Sequence, residues 1–198
     1  SLSLTTTSST RLPGSGSTVM ATVSPSAAVV LSAVTVPFSD SRTVTVSEQK
    51  GAMAAVMKLA PEKIEEICSK AVNYVTAVNY NSPQQTVIAG TPEGIAEVSE
   101  VFAELKARVV PLNVAGPFHS KLMQSAADKF YETAKTITFN APQVKYYSNV
   151  TGGELTDFSD MPSLLAKHIV SPVRFTAELS AMEAAGADSF VEFGPGKT

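Results

Sequence analysis

The chain has 198 residues, a formal net charge of −3 at pH 7 and 44% hydrophobic residues. This length fits one domain, or one domain with a small inserted subdomain, and the apolar content is enough for a sizeable core. The acidic balance argues against nucleic acid as the main partner. No apolar run reaches the roughly 18 residues that a membrane span needs, so we predict neither a nucleic-acid nor a membrane partner.

Residues 1–50 differ in composition from the rest of the chain, because Ser, Thr, Val and Ala dominate and charges are few. The stretches AAVVLSAVTV (27–36) and TVTVSE (43–48) favour short strands. The same segment has Arg11 and no acidic residue before Asp40, which is also typical of a targeting peptide. A third interpretation is a remnant of, or a substitute for, a longer segment. We place a boundary near residue 50 and predict that residues 1–20 are disordered.

Residues 51–114 alternate between strand and helix patterns. Strands are predicted at 51–59, 74–80, 85–90 and 107–114. One helix begins at Pro61, and a second begins at Pro92 behind an N-cap at Thr91. The apolar helix faces consist of Ile64, Ile67, Cys68 and Ala71, and of Ile95, Val98, Phe102 and Leu105. The β-α-β-β-α-β order is that of a ferredoxin-like unit. Cys68 is the single cysteine, so an internal disulfide is excluded, and we expect it to be inert core.

Residues 115–198 continue with mixed elements. Apolar residues spaced four, four, four and three apart predict a helix with Ser120 as its N-cap. These residues are Leu122, Ala126, Phe130, Ala134 and Ile137. A strand at 144–150, a helix opened by Asp160, a helix that stops at Gly186 and a strand at 189–193 follow. Such a mixture of strands and helices predicts an α/β layer.

His119 is one of only two histidines and follows a Gly116-Pro117 pair that cannot continue a helix. An imidazole held there can take a proton from a hydroxyl and return it to a leaving group. It then needs a partner for its other ring nitrogen and a Ser or Cys within reach. On position alone, a lone histidine is more often structural than catalytic. We predict no metal site, because His119 and His168 are far apart in sequence and neither has a carboxylate at ligand spacing.

Seven stretches from Gly51 onward occur in an order that resembles a known family. They are GAMAAV (51–56), NYNSPQQTVIAG (79–90), GPFHSKLM (116–123), ITFNAP (137–142), YYSNVTG (146–152), SPVRF (171–175) and VEFGPGK (191–197). Together they resemble the malonyl-CoA:acyl-carrier-protein transacylases of fatty acid synthesis and the related polyketide acyltransferases. The resemblance covers residues 51–198.

The resemblance implies a fold and a reaction. The fold is α/β, a partial α/β-hydrolase-like large domain (115–198) with an inserted ferredoxin-like small subdomain (51–114), preceded by the atypical segment 1–50. The reaction transfers a malonyl group from coenzyme A to acyl carrier protein through an acyl-enzyme. It needs no cofactor, since the coenzyme A thioester is a substrate. A cytoplasmic monomer is expected, with a plastid or mitochondrion as the alternative if the first residues are a transit peptide.

The resemblance also implies roles for individual residues. His119 would be the general base, oriented by a main-chain carbonyl that maps to about His168. The side chain of His168 is separately interpreted as a helix C-terminal histidine that favours the local dipole. Phe118 would exclude the branch of a methylmalonyl group, a discrimination worth roughly 1–3 kcal/mol; the alternative is core packing.

Asn79 and Asn81 alternate along a strand and would face the acyl cleft as substrate-binding residues. Turn chemistry explains Asn81 equally well. The residues GPGK (194–197) lack the spacing of a phosphate loop and would line the same cleft.

The nucleophile is not identifiable, because the chain contains no G-x-S-x-G elbow. The upstream Gln of the family is not recognisable, and Arg42 lies in an unmatched context. The chain is therefore a partial or altered transacylase, or has lost chemistry and kept binding. The intact context of His119 favours the first. A trans-acting polyketide acyltransferase and a non-catalytic carrier-protein or coenzyme A binding module are the alternatives, and a metal-dependent hydrolase is more remote.

Overall fold

The computed structural model describes residues 19–24, 27–31, 51–114 and 116–193. Its strands are β1 (Val19–Ser24), β2 (Ala27–Leu31), β3 (Ala52–Met57), β4 (Val75–Ser82), β5 (Gln85–Gly90), β6 (Arg108–Pro111), β7 (Lys145–Ser148), β8 (Gly153–Leu155) and β9 (Phe190–Phe193). Its helices are α1 (Pro61–Lys70), α2 (Pro92–Glu104), α3 (Gln124–Ala134), α4 (Met161–Val170) and α5 (Phe175–Ala184), and a 3-10 turn (Lys121–Met123) precedes α3. The fold is therefore mixed α/β, as predicted.

The small-sheet unit, residues 51–111, is contiguous in the chain. Its four strands lie in the order β4-β5-β3-β6, and all neighbours are antiparallel. Helices α1 and α2 share one apolar cluster with one face of this sheet. The buried members of that cluster are Ala54, Val56, Ile64, Ile67, Cys68, Val75, Ile88, Val98 and Phe102. The predicted strand–helix order of this unit is confirmed.

Local chemistry explains where the two helices of the small-sheet unit begin. Proline stands in the first turn of each helix, where its missing N–H costs no intrahelical hydrogen bond. Thr91 is the predicted N-cap of α2, and its side chain accepts from the Gly94 N–H at 3.1 Å. Two elements of this unit, helix α2 and strand β6, are shorter at their C-terminal ends than predicted. Helix α2 stops at Glu104, which leaves Leu105 46% exposed, and β6 covers only 108–111 of the predicted 107–114.

The opposite face of the small sheet is also apolar. Alternate side chains of β3 and β5 point to this face, together with Val78 of β4. They form a second buried cluster of Met53, Ala55, Val78, Val87 and Ala89, and Phe118 and Leu112 pack against it. The small sheet is thus covered on both sides, and its second face meets the segment that carries His119.

The large-sheet unit combines residues 19–24, 27–31 and 116–193. Its five strands lie in the order β8-β7-β2-β1-β9, and only β2 and β7 pair in parallel. The strand predicted over 27–36 is confirmed for Ala27–Leu31. The predicted disorder of residues 1–20 is wrong at Val19 and Met20, which belong to β1. The segment TVTVSE lies outside the described residues.

The prediction for helix α3 is confirmed in part. Ala134 is buried as predicted, whereas the earlier buried residues are Met123 and Ala127, each one position after the predicted Leu122 and Ala126. Ile137 lies beyond the helix and is 38% exposed. Ser120 is not a side-chain cap, since its Oγ donates to the Pro117 carbonyl at 2.6 Å.

The remaining helices follow the prediction. Asp160 caps α4 by accepting from the Ser163 N–H at 3.2 Å. On α5, Met182 is fully buried and packs with Tyr147 of β7. Within the ranges given above, no helix is long and apolar enough to cross a membrane.

Candidate active site

The segment that carries His119 is held tightly by its neighbours. Gly116 and Pro117 are buried, and Pro117 packs against Gly51, where an added Cβ would lie 2.3 Å from the Pro117 Cγ. His119 adopts a left-handed backbone with φ of 61°. This conformation costs a non-glycine residue on the order of 1–3 kcal/mol and persists only where the surroundings impose it. The backbone N–H of His119 donates to the Ile169 carbonyl at 3.0 Å, which is part of that restraint.

The imidazole of His119 meets the C-terminal end of α4. Its Nδ1 lies 2.8 Å from the main-chain oxygen of His168. A carbonyl oxygen can only accept, so Nδ1 carries the proton and the neutral ring presents a lone pair at Nε2. The contact predicted between His119 and the His168 carbonyl is therefore present, while the catalytic role of both residues stays a prediction.

The sequence after α4 explains why these carbonyls are free to hold His119. In a continuing helix, the His168 carbonyl would accept from residue 172, but Pro172 has no N–H. The Ile169 carbonyl would accept from Val173, but the Val173 N–H donates to Val78 at 2.7 Å. Two adjacent carbonyls at the helix end are thus left for the His119 ring and backbone.

Burial sets the protonation of His119. The ring is partly buried, and loss of solvent lowers its pKa below the ordinary value of 6.5. The main-chain contacts with His168 and Ser171 act in the opposite direction and are weaker. His119 is therefore mostly neutral at neutral pH, the state in which Nε2 can accept a proton.

The side chain of His168 has a different environment from the one predicted. Its Nε2 lies 3.2 Å from the Oγ of Ser148, a serine that is fully buried at the end of β7. Burial, together with the nearby His119, lowers the pKa of His168 to about 4. His168 lies in the last turn of α4, where it was predicted, and its lowered pKa keeps the ring uncharged at neutral pH; a favourable interaction with the helix dipole stays a prediction.

Residues 171–174 join the two units beside His119. The Val173 carbonyl accepts from the Tyr80 N–H at 2.9 Å, and Val173 forms an isolated parallel bridge with Asn79. The Arg174 N–H donates to the Asn149 carbonyl at 2.9 Å, in the turn after β7. His119 therefore lies where β4, the turn after β7 and the end of α4 are connected through main-chain hydrogen bonds.

The predicted substrate-binding residues lie near this junction. Phe118 is partly buried and packs against the apolar cluster on the second face of the small sheet, which supports its packing role. Asn79 takes part in the bridge to Val173, and the Asn81 Nδ2 donates to the Gln85 Oε1 at 3.0 Å. The strand alternation from which we predicted a shared direction for the two asparagines is interrupted by irregularities on both sides of Tyr80. Substrate binding by these three residues stays a prediction.

The described residues supply no nucleophile for His119. Ser120 is adjacent in sequence, but its hydroxyl is directed to the Pro117 carbonyl. Cys68 is buried in the small-sheet unit, and burial raises the pKa of its thiol to about 12, which confirms the expected inert core cysteine. Arg42 and residues 194–197 lie outside the described residues.

A cavity of about 720 Å³ lies between α3 and α4. Its lining includes Gln124, Lys129, Ser163 and Lys167, and it contains none of the predicted site residues. The site is therefore defined by hydrogen bonds around His119 and not by this cavity. Sequence reasoning missed Ser148 and the buried Glu178 of α5. Ser148 lies in the stretch YYSNVTG, to which no side-chain role was assigned, and Glu178 lies in none of the seven stretches.

Comparison with known proteins identifies a family. Residues 16–196 match the family described as "Acyl transferase domain". The malonyl CoA-acyl carrier protein transacylase of Bacillus subtilis (strain 168) is 38% identical over 152 residues, which are 75% of this chain and 48% of that protein. The crystal structure of the malonyl CoA-acyl carrier protein transacylase from Clostridium perfringens has a TM-score of 0.73 at 33% identity, over 77% of this chain and 49% of that chain.

A second similar structure includes a carrier protein. It is described as a type II PKS acyl-carrier protein in complex with its malonyl-transacylase, and it has a TM-score of 0.67 at 30% identity, over 72% of this chain and 47% of that chain. This chain thus spans about half the length of the relatives it matches. The family match begins at residue 16, upstream of the range 51–198 that carries the resemblance in sequence. The chain belongs to the acyl transferase domain family.

Proposed function

We propose that this chain carries the base-bearing part of an acyltransferase site that moves a malonyl group from coenzyme A to acyl carrier protein. The observation that carries the proposal is the 2.8 Å contact between the His119 Nδ1 and the His168 carbonyl. It selects the tautomer in which Nε2 accepts a proton, as a general base requires. The names of the similar proteins supply the malonyl donor and the carrier-protein acceptor.

The proposed mechanism uses His119 twice. Its Nε2 removes the proton from a nucleophilic hydroxyl as that oxygen attacks the malonyl thioester carbonyl, and the proton then goes to the departing coenzyme A sulfur. In the second half, Nε2 takes the proton of the carrier-protein thiol as the sulfur attacks the acyl-enzyme ester, and returns it to the freed hydroxyl. When the ring is protonated, the His168 carbonyl accepts from Nδ1–H and stabilises the cation.

The finer architecture belongs to the same proposal. Residues 51–114 form a ferredoxin-like small subdomain, supported by the β-α-β-β-α-β order and the antiparallel sheet order β4-β5-β3-β6. Residues 115–198, with strands from the segment 1–50, belong to an α/β-hydrolase-like large domain. A parallel pair of strands needs a long crossover connection, so the parallel pairing of β2 with β7 supports such a large domain.

Phe118, Asn79 and Asn81 complete the proposed acyl site. Phe118 precedes the base and borders the apolar face of the small sheet, so its ring limits the volume beside the acyl group. Discrimination against one added methyl is worth roughly 1–3 kcal/mol. The reaction needs no cofactor besides the coenzyme A thioester substrate, and we propose a cytoplasmic monomer with malonyl-CoA and acyl carrier protein as its partners.

A labelling experiment tests the proposal. The chain, alone and mixed with the N-terminal half of the B. subtilis relative, is incubated with radiolabelled malonyl-CoA and then with holo acyl carrier protein. We expect labelled acyl-enzyme and transfer in at least the mixed sample, and loss of both with His119→Asn. Absence of label in both samples, or equal transfer by His119→Asn, would overturn the proposal.

Two alternative functions are separated by further measurements. A polyketide acyltransferase is favoured by the likeness to the polyketide transacylase complex, and it predicts a preference for polyketide over fatty-acid carrier proteins in the same assay. A non-catalytic binding module is favoured by the missing G-x-S-x-G elbow. That module predicts binding of coenzyme A or carrier protein that is unchanged in His119→Asn, with no transfer in any mixture.

A further inference from the structure

The side chain of His168 is tied to the large sheet by a contact that the proposed mechanism does not use. Its Nε2 lies 3.2 Å from the Ser148 Oγ, and Ser148 has no solvent exposure. The same residue, His168, presents its main-chain oxygen to the Nδ1 of His119 at 2.8 Å. One residue thus connects a buried serine of the sheet with the ring of the proposed base.

Ser148 is a firmly held anchor. Its carbonyl accepts from the Thr151 N–H at 3.1 Å and from the Gly152 N–H at 2.7 Å, which closes the turn after β7. Its Oγ also accepts from the Val150 N–H at 3.3 Å. The position of the hydroxyl is therefore set by the main chain of the strand and its turn, and not by the side chain of His168 alone.

The end of α4 needs such an anchor. The last carbonyls of a helix have no intrahelical partner, and the final turn is the part that frays. At His168 this weakness is increased, because Pro172 removes the N–H that would otherwise bind its carbonyl. A side-chain contact at the same residue restrains the direction in which the carbonyl points.

We propose that Ser148 and the side chain of His168 are positioning residues, which fix the carbonyl that orients His119. The catalytic meaning of this pair rests on the proposed function, while the coupling itself does not. Burial keeps the His168 ring neutral, so the pair acts through hydrogen bonding and places no charge beside the base. A glutamine at position 168 can make a similar contact with Ser148, and a leucine cannot.

Nitrogen-15 NMR of the histidine rings tests the coupling directly, since the chain contains only two histidines. The ring shifts report the ratio of the Nδ1–H to the Nε2–H tautomer of His119 in the neutral state. We expect the Nδ1–H form to dominate in the native chain. In Ser148→Ala that ratio falls about threefold or more, as expected when one neutral hydrogen bond is lost.

Matched variants separate positioning from general damage. Ser69→Ala removes an exposed hydroxyl that donates to the Glu66 carbonyl, and it leaves the His119 tautomer ratio unchanged. His168→Leu lowers the ratio as Ser148→Ala does, and His168→Gln preserves it within about twofold. The Leu and Gln variants decide the question if Ser148→Ala does not fold, as judged by its melting temperature.

Each result has one meaning. A native ratio in folded Ser148→Ala, or an equal ratio in His168→Leu and His168→Gln, overturns the inference. The malonyl-transfer assay runs in parallel: if the tautomer ratio changes as expected and no transfer occurs in any mixture, the positioning pair stands and only the proposed function fails.

Discussion

The small-sheet unit and the large-sheet unit differ in how many polar side chains they bury. The core between α1, α2 and the small sheet consists of apolar residues and Cys68, and the buried polar side chain of this unit is Thr86. The large-sheet unit buries Ser120, Ser148 and Glu178. Among the described residues, the hydroxyls of Thr86 and Tyr147 and both carboxyl oxygens of Glu178 have no hydrogen-bond partner. Buried polar groups without partners reduce stability, and they are retained most often where a fold carries a site. The difference indicates that the large-sheet unit gives up more stability to buried polar groups than the small-sheet unit does.

The largest expected effect is on the reaction and is confined to the large-sheet unit. We expect His119→Asn to lower the rate of malonyl transfer about 10²–10⁴-fold, the usual contribution of a general base. Asparagine is chosen because it tolerates the left-handed backbone that His119 adopts. Single-turnover transfer with radiolabelled malonyl-CoA measures the rate, and an unchanged melting temperature shows that the fold is intact. A transfer rate within tenfold of that of the native chain would contradict the assignment of His119 as the base.

The next effect concerns stability and is confined to the small-sheet unit. Phe102 has no solvent exposure in the core between helices and sheet. We expect Phe102→Ala to lower the free energy of unfolding by about 3–5 kcal/mol through lost burial and the cavity left behind. Val101 is the neighbouring residue on the same helix and is 40% exposed, so Val101→Ala is the control with a change below about 1 kcal/mol. Urea denaturation measures both, and equal losses would contradict the assigned core.

A pH effect is expected from the carboxyl group of Glu178. Burial raises its pKa from the ordinary 4.5 to about 7. The folded chain therefore holds this proton between pH 4.5 and 7 while the unfolded chain has lost it, so the contribution of Glu178 to stability falls as pH rises across that window. The size of this loss is on the order of 3 kcal/mol.

Urea denaturation at several pH values measures the contribution of Glu178. We expect the native chain to lose stability relative to Glu178→Gln as pH rises from 4.5 to 7, and Glu183→Gln, at an exposed position of the same helix, to follow the native profile. His168 contributes the opposite trend, because its pKa is lowered to about 4 and its stabilisation is lost as pH falls below 6.5. An identical pH profile in the native chain and in Glu178→Gln would show that Glu178 is ionised in the fold.

The smallest expected effect is the loss of stability when a helix N-cap is removed, and it should be equal in the two units. Thr91 caps α2 by accepting a hydrogen bond from the Gly94 N–H at 3.1 Å. Asp160 caps α4 by accepting one from the Ser163 N–H at 3.2 Å. We expect Thr91→Ala and Asp160→Ala each to cost about 1 kcal/mol of unfolding free energy. Melting temperatures of the two variants measure this. A much larger loss of unfolding free energy for Asp160→Ala would show that the C-terminal end of α4 depends on the N-cap of the helix more than a cap worth about 1 kcal/mol allows.

Prediction succeeded best where the signal was local. The small-sheet unit is contiguous, so all its strands and helices follow one another in the chain. Pro61, Thr91 and Pro92 mark the starts of its helices. Prediction failed at the helix ends and after Ser120. Leu105 fits the helical period but lies past the last turn, and the first buried residues around α3 are Met123 and Ala127 in place of the predicted Leu122 and Ala126. Periodicity cannot detect either change, because both depend on how the ends pack.

The amino-acid sequence by itself determined the element order of residues 51–111, the family resemblance, and the position of His119 outside a helix. Only the tertiary structure decided that Ser148 lies against the His168 ring, that Glu178 is buried with no hydrogen-bond partner among the described residues, and that β2 pairs in parallel with β7. The physical reason is the separation along the chain over which each kind of interaction acts. Caps, turns and amphipathic periods act within a few residues, whereas burial, pKa and parallel pairing depend on segments far apart in the chain.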